Sequence, residues 1–221
     1  MKTIRLLIAE NFPMMLATIV GGLKEIEKKR PDSRFVIDTV PDCESAKNQL
    51  KSVKELYKVV IFKINLQFSN KFRFIYGEDL GVYIRKKYPK TRVIILTSFT
   101  DKYRLYNIMQ NISPEGLLVR IDFDFKELQK AFENIIIHEA SYYSKSVLSL
   151  LKSNFSKEYV LDTIDRKLLF CLSAGVKMKD LPKVLPLSMG GIEKRKRNLK
   201  ELFKADNDQV LLAAARNKGF L

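Results

Sequence analysis

The order of apolar and polar positions divides the chain into two regions of different period. Up to about residue 140, short apolar runs alternate with helical patterns. Residues 4–8, 35–40, 58–62, 92–97 and 116–119 read as strands, and the aliphatic run from Ile4 to Ile8 suits a parallel strand buried on both faces. Between them, residues 13–29, 44–51, 78–87, 102–109 and 125–139 read as helices. Pro13 stands in the first turn of the first, and Pro89 lies just beyond the third. Residues 67–76 are polar and irregular and read as a loop. The pattern predicts an α/β domain, a five-stranded doubly wound parallel sheet with helices on both faces. Functional residues are expected at the carboxyl ends of its strands.

From residue 158 onward only helical patterns remain. Residues 141–157, beginning Ser-Tyr-Tyr-Ser and continuing as a weak helix, read as a linker. The stretch 163–175 is an apolar-striped helix closed by Gly175. A short helix follows within 176–185. Pro182 would break its interior, so the helix is expected to begin near Asp180 with Pro182 in its first turn. Pro186-Leu187-Ser188 is the turn into the next helix, with Ser188 as N-cap, and a last helix covers 208–217. The division is therefore 1–140, a linker 141–157, and a small all-α domain 158–221.

The helix after Ser188 is the candidate working element. At about 100° per residue, Ile192, Leu199, Leu202 and Phe203 fall on one stripe. Lys194, Arg197 and Glu201 point the opposite way, with Glu193 and Lys200 on the flank. Arg195 and Lys196 stand at the stripe's edges, where long stems lie on the core while the charges reach outward. A solvated charged face is the plain reading of such a run. The helices around it favour a nucleic-acid face.

Composition narrows the field. The formal net charge of +15 favours anionic partners. It is spread over both regions, +9 before residue 156 and +6 from there on. No apolar run is long enough to span a membrane. The N-terminus reads as a strand and not as a signal peptide, and a cytoplasmic location is expected. Cys43 and Cys171 are far apart in sequence and read as core thiols, and the single histidine, His138, as a surface residue. No metal, cofactor or catalytic constellation is read.

The stretch 161–221 resembles the C-terminal helix-turn-helix of LuxR/NarL-type transcriptional regulators. The matching features are Gly175, the Leu187-Ser188 turn, the charged run from Ile192 to Lys200, and the closing Lys218-Gly219-Phe220-Leu221; Pro182 departs from the pattern. The resemblance implies a reader helix in the major groove of double-stranded DNA and pairing of two copies through the last helix, whose small residues (Ala213, Ala214, Ala215) otherwise serve only to close the local core. Glu193, Lys194 and Arg197 are then the candidates for base edges. Lys179, Arg195, Lys196 and Lys200 are the candidates for phosphates.

Residues 2–137 resemble the receiver domain of two-component systems. The order of strand ends matches: Glu10-Asn11-Phe12-Pro13, then Lys63, then Thr97-Ser98, then Arg120. A working receiver holds Mg2+ with carboxylates and phosphorylates an aspartate on the third strand. Here Lys63 stands at the phosphoacceptor position, Asn11 replaces one metal-binding acid, and Leu117 replaces the aromatic that relays the signal. An ammonium cannot form an acyl phosphate. Lys63 is expected to pair with Glu10 and plug the site, or else to hold an anionic ligand together with Arg120. A Schiff-base role for Lys63 has no support in the sequence.

Together these readings imply a DNA-binding regulator, homodimeric, with a degenerate receiver independent of aspartyl phosphorylation and open to control by a partner protein or ligand. The alternatives are a conventional phosphorylation-dependent response regulator and an interaction adaptor that no longer reads DNA.

Overall fold

The computed structural model describes residues 2–53, 55–64, 77–153 and 159–221. The N-terminal body is built on strands β1 (Lys2–Ala9), β2 (Ser33–Val40), β3 (Val59–Lys63), β4 (Arg92–Thr97) and β5 (Gly116–Val119). Between them run helices α1 (Pro13–Lys29), α2 (Cys43–Ser52), α3 (Gly77–Lys87) and α4 (Lys102–Ile112), and α5 (Phe125–Phe132) follows. The sheet is parallel throughout, in the order β2-β1-β3-β4-β5-β6, where β6 is Tyr142–Tyr143. The chain reverses its winding between β1 and β3, which opens a crevice at the carboxyl ends of the central strands.

Alternation along each strand sorts the two cores. Leu7, Val60, Phe62, Val93, Ile95 and Leu117 face α2, α3 and α4. Leu6, Ile8, Ile61, Ile94, Leu96 and Leu118 face α1 and α5. Both faces are buried, which is why these strands read as aliphatic runs without polar alternation.

Two departures from the sequence reading lie after β5. The sheet has a sixth strand, because Tyr142 and Tyr143 pair with Gly116 and Leu117. Helix α6 (Lys145–Lys152) then packs Val147 and Leu150 into the core beside α4, so the expected linker begins as part of the N-terminal body. Asp122 fastens this segment by accepting from Ser144 Oγ, Ser146 N and Ser146 Oγ at 2.7–2.8 Å. The helix expected over 125–139 is regular only to Phe132 and continues as a π-helical turn, Glu133–Ile137. The expected loop 67–76 and the end of the expected linker lie outside the described residues.

The C-terminal domain comprises α7 (Thr163–Ser173), a 3-10 turn at Met178–Asp180, α8 (Leu181–Val184), α9 (Met189–Phe203) and α10 (Asp208–Asn217). Gly175 ends the α7 turn at φ 75°, a conformation that favours glycine. Pro182 falls in the first turn of α8. Ser188 caps α9 by accepting from Gly191 N at 3.3 Å. The core of this domain gathers Leu168, Leu169, Ile192, Leu199, Phe203 and Leu211.

The two bodies meet along α4. Asn107 is fully buried; its Nδ2 donates to Tyr159 O and its Oδ1 accepts from Leu161 N, both at 2.7 Å. Asn111 Nδ2 donates to Leu161 O at 3.0 Å. Lys218 Nζ lies 4.2 Å above the Tyr103 ring and 4.0 Å above the Tyr159 ring. Gly219, at φ 71°, passes so close to Asp101 that an added Cβ would lie 2.5 Å from Asp101 Cγ. Asn107 therefore hydrogen-bonds the backbone that leads into α7, while the chain's last residues clasp the start of α4.

Candidate nucleic-acid interface and strand-end pocket

The α9 helix presents its charges unequally. Ile192, Leu199 and Phe203 anchor one side in the core. Glu193, Lys194, Arg197, Asn198 and Glu201 are exposed on the other, where the helical period puts them. Lys179, in the turn before α8, is exposed as well. Among the described residues, no ion pair within 4.0 Å engages Lys179, Lys194 or Arg197.

Three other expected phosphate-binding cations turn inward. Arg195 Nη1 lies 2.8 Å from Asp162 Oδ2 and 2.7 Å from Asp165 Oδ1, bracing α9 against the start of α7. Lys196 and Lys200 both reach Asp208, at 2.6 and 2.8 Å, and tie α9 to α10. The expectation that the Arg195 and Lys196 charges reach outward is thus corrected: the stems lie on the core, but acids on α7 and α10 draw the heads sideways. Burial raises the Asp208 carboxyl, but hydrogen bonds from Lys196 and Lys200 and their charges outweigh it and hold it below the usual range. At Asp165 burial, together with the Asp162 charge, prevails over the lowering effect of Arg195, and the carboxyl stands above its usual range.

The pocket at the strand ends is a cavity of about 270 Å3 lined by Glu10, Lys63, Thr97, Ser98 and Arg120 together with Phe12, Met14, Met15, Leu96 and Phe123. Four of the residues singled out in sequence, Glu10, Lys63, Thr97 and Arg120, converge here. Asn11 is exposed beside them and does not line the cavity. The expected Lys63–Glu10 salt bridge is not formed. Glu10, buried, turns its Oε1 to accept from Phe12 N at 2.8 Å, serving the entry of α1. Among the described residues Lys63 has no ion-pair partner within 4.0 Å. Residues 65–76, which follow it, contain no Asp or Glu but do contain Lys71 and Arg73. Thr97 Oγ1 accepts from Phe99 N at 3.0 Å. Arg120 Nη1 donates to Phe123 O at 3.3 Å, with the guanidinium 5.3 Å from the Phe123 ring centre. No group of three His, Cys, Asp or Glu side chains among the described residues could hold a metal ion.

Sequence reasoning missed the charge cluster between the two bodies. Glu78 at the start of α3 is 1% exposed and meets Arg104 of α4 at 2.6 Å and Arg166 of α7 at 2.7 Å. Beside it, Asp79 meets Lys167 at 3.0 Å. The available signal was a charged residue inside an apolar stripe: Arg104 beside Leu105 and Ile108, and Arg166 beside Leu168 and Leu169.

This arrangement defines the class of architecture: a receiver-type parallel sheet followed by a small helix-turn-helix domain. No protein-family model and no curated protein matches the chain in sequence. Solved structures match it in fold. RcsB from Salmonella enterica serovar Typhimurium, bound to promoter rprA in the presence of the phosphomimetic beryllofluoride, aligns with a TM-score of 0.66 at 19% identity, covering 96% of this chain and 98% of that one. The Salmonella typhimurium RcsB response regulator aligns with a TM-score of 0.57 at 21% identity, covering 98% and 100%. The isolated receiver domain of RcsB covers 67% of this chain and 99% of its own length, with a TM-score of 0.55 at 21% identity. At this identity the likeness is one of fold. No helix among the described residues is long and apolar enough to cross a membrane.

Proposed function

We propose that the chain is a DNA-binding transcriptional regulator of response-regulator architecture that acts as a homodimer and is not switched by aspartyl phosphorylation. The observation that carries this reading is the outer face of α9. Lys194 and Arg197 project without ion-pair partners among the described residues, from a 15-residue helix braced on three sides by the core, Asp162/Asp165 and Asp208. A rigid helix with free cations on one face is suited to a major groove. RcsB, whose fold the chain shares, is described in complexes with promoter DNA and as two dimers on two DNAs, which supports the same use here.

In this reading Glu193, Lys194 and Arg197 face base edges, while Lys179 leads the phosphate contacts. Arg195, Lys196 and Lys200 position the helix and reach phosphate only by leaving their acids. Pairing runs through α10, where Val210 and Ala213 are exposed on one face. Independence from phosphorylation rests on chemistry: Lys63 cannot be an acyl-phosphate acceptor, and Glu10 alone remains of the acidic pair. Selection of bound genomic fragments followed by footprinting tests the reading. Two half-sites related by a two-fold axis are expected. Failure to enrich any sequence would refute it.

A further inference from the structure

We infer that the strand-end pocket is a non-covalent binding site for a small monoanion with an apolar body, such as a carboxylate on an alkyl chain. The inference deepens the proposal of a receiver without a phosphoacceptor, and it does not depend on DNA binding.

Charge is the first argument. Lys63 and Arg120 bring two cations to the cavity, and Glu10 brings one anion that is already engaged by the Phe12 N–H. The net of one positive charge matches a single carboxylate better than a doubly charged phosphate. A half-buried ammonium without a counter-ion among the described residues is unfavourable, and an anion brought into the pocket relieves that cost.

Hydrogen bonding is the second argument. Thr97 is almost completely buried, and its Oγ1 already accepts from Phe99 N. Its hydroxyl proton is therefore left to donate, and it does so from the wall of the same cavity as Lys63.

The third argument is the apolar surface. Phe12 and Met14, both lining the cavity, are 53% and 73% exposed, and Ile121, between the lining residues Arg120 and Phe123, is 80% exposed. Deeper in, Met15, Leu96 and Phe123 continue the apolar wall. A mostly apolar cavity with a few convergent polar groups is the usual form of a small-molecule site. A bare oxyanion would use the cations and leave these side chains in water. An amphiphilic carboxylate uses both, and methionines adapt well to chains of varied shape.

Titration calorimetry of the full chain with sodium octanoate, and separately with inorganic phosphate, tests the inference. Saturable one-to-one binding of octanoate is expected, tighter than that of phosphate. Lys63→Met keeps the volume and removes the charge, and should weaken binding about tenfold or more. Arg120→Gln, at an exposed position, should weaken it to a smaller extent. The inference is overturned if octanoate shows no saturation below about 10 mM, if phosphate binds more tightly, or if neither substitution changes the affinity. It is also overturned if the apolar rim proves to be covered by a second copy, seen as a dimer that Met14→Asp dissociates and octanoate cannot enter.

Discussion

Glu78 Oε2 of the receiver-type domain lies 2.7 Å from Arg166 Nη1 of the helix-turn-helix domain, with both side chains almost completely buried. The other Glu78 oxygen lies 2.6 Å from Arg104. Among the described residues neither oxygen has an aligned hydrogen bond, and the attraction is one of charge. One carboxylate between two guanidiniums leaves a surplus positive charge, and the three do not contribute equally. Glu78→Gln removes the buried carboxylate that both guanidiniums meet and should cost about 3–5 kcal/mol. Arg166→Met leaves the Glu78–Arg104 pair intact and should cost clearly less. Denaturant midpoints of the two variants check the order.

The reader helix yields a prediction with two signs. Arg197→Ala should lower affinity for a preferred site by about 1–3 kcal/mol and relax sequence preference, if its guanidinium reads a guanine. Asp208→Ala should instead steepen the salt dependence. It releases Lys196 and Lys200 toward phosphate, and each new contact steepens the log–log salt slope by about 0.9. Binding titrations at several salt concentrations separate the two effects. An unchanged slope in Asp208→Ala would mean that the freed lysines do not reach the backbone.

Acid should loosen α6. Burial raises the Asp122 carboxyl, but donation from Ser144 and Ser146 outweighs it and leaves the pKa below the usual value of 3.8. A group depressed in the folded state contributes stability above its unfolded pKa and loses that contribution as pH falls through the folded value. Wild-type stability should therefore fall below about pH 4 through this group, while Asp122→Asn should be weaker at neutral pH and show a flatter acid limb. Thermal unfolding between neutral pH and acid is the measurement.

Cys43 is fully buried, and burial, followed by the charges of Asp42 and Asp79, pushes its thiol up to about 12. At pH 8 roughly one molecule in ten thousand carries the thiolate. A disulfide-exchange reagent should therefore leave Cys43 unmodified in the folded protein and label it at the rate of unfolding. Rapid labelling under native conditions would contradict its packing against the sheet.

Much of this fold was legible because burial imposes period. The strand Arg92–Thr97 and the helix Asp208–Asn217 coincide with the apolar pattern to the residue, and Pro13, Gly175 and Ser188 mark helix ends through their backbone chemistry. Tyr142–Tyr143 was illegible because a two-residue strand shows no alternation; only its neighbour β5 makes it a strand. The helical phase put Glu193, Lys194 and Arg197 on the outer face, but it could not tell where the long side chains beside them end. Arg195, Lys196 and Lys200 are claimed by acids on other helices, a tertiary fact without a local signature. The same limit applies to Lys63. Its position at the strand ends was readable, but the choice of Glu10 for the Phe12 N–H over the ammonium was not.

The central claim is that this protein binds DNA through α9 without a phosphoryl switch at the strand ends. The most direct test is the DNA affinity of the intact chain on its selected duplex, measured by fluorescence anisotropy with and without Mg2+ and beryllofluoride. The account predicts salt-dependent, sequence-preferring binding whose Kd is the same in both conditions. Tightening of about tenfold or more on adding the phosphoryl mimic, a shift of about 1.4 kcal/mol, would contradict it.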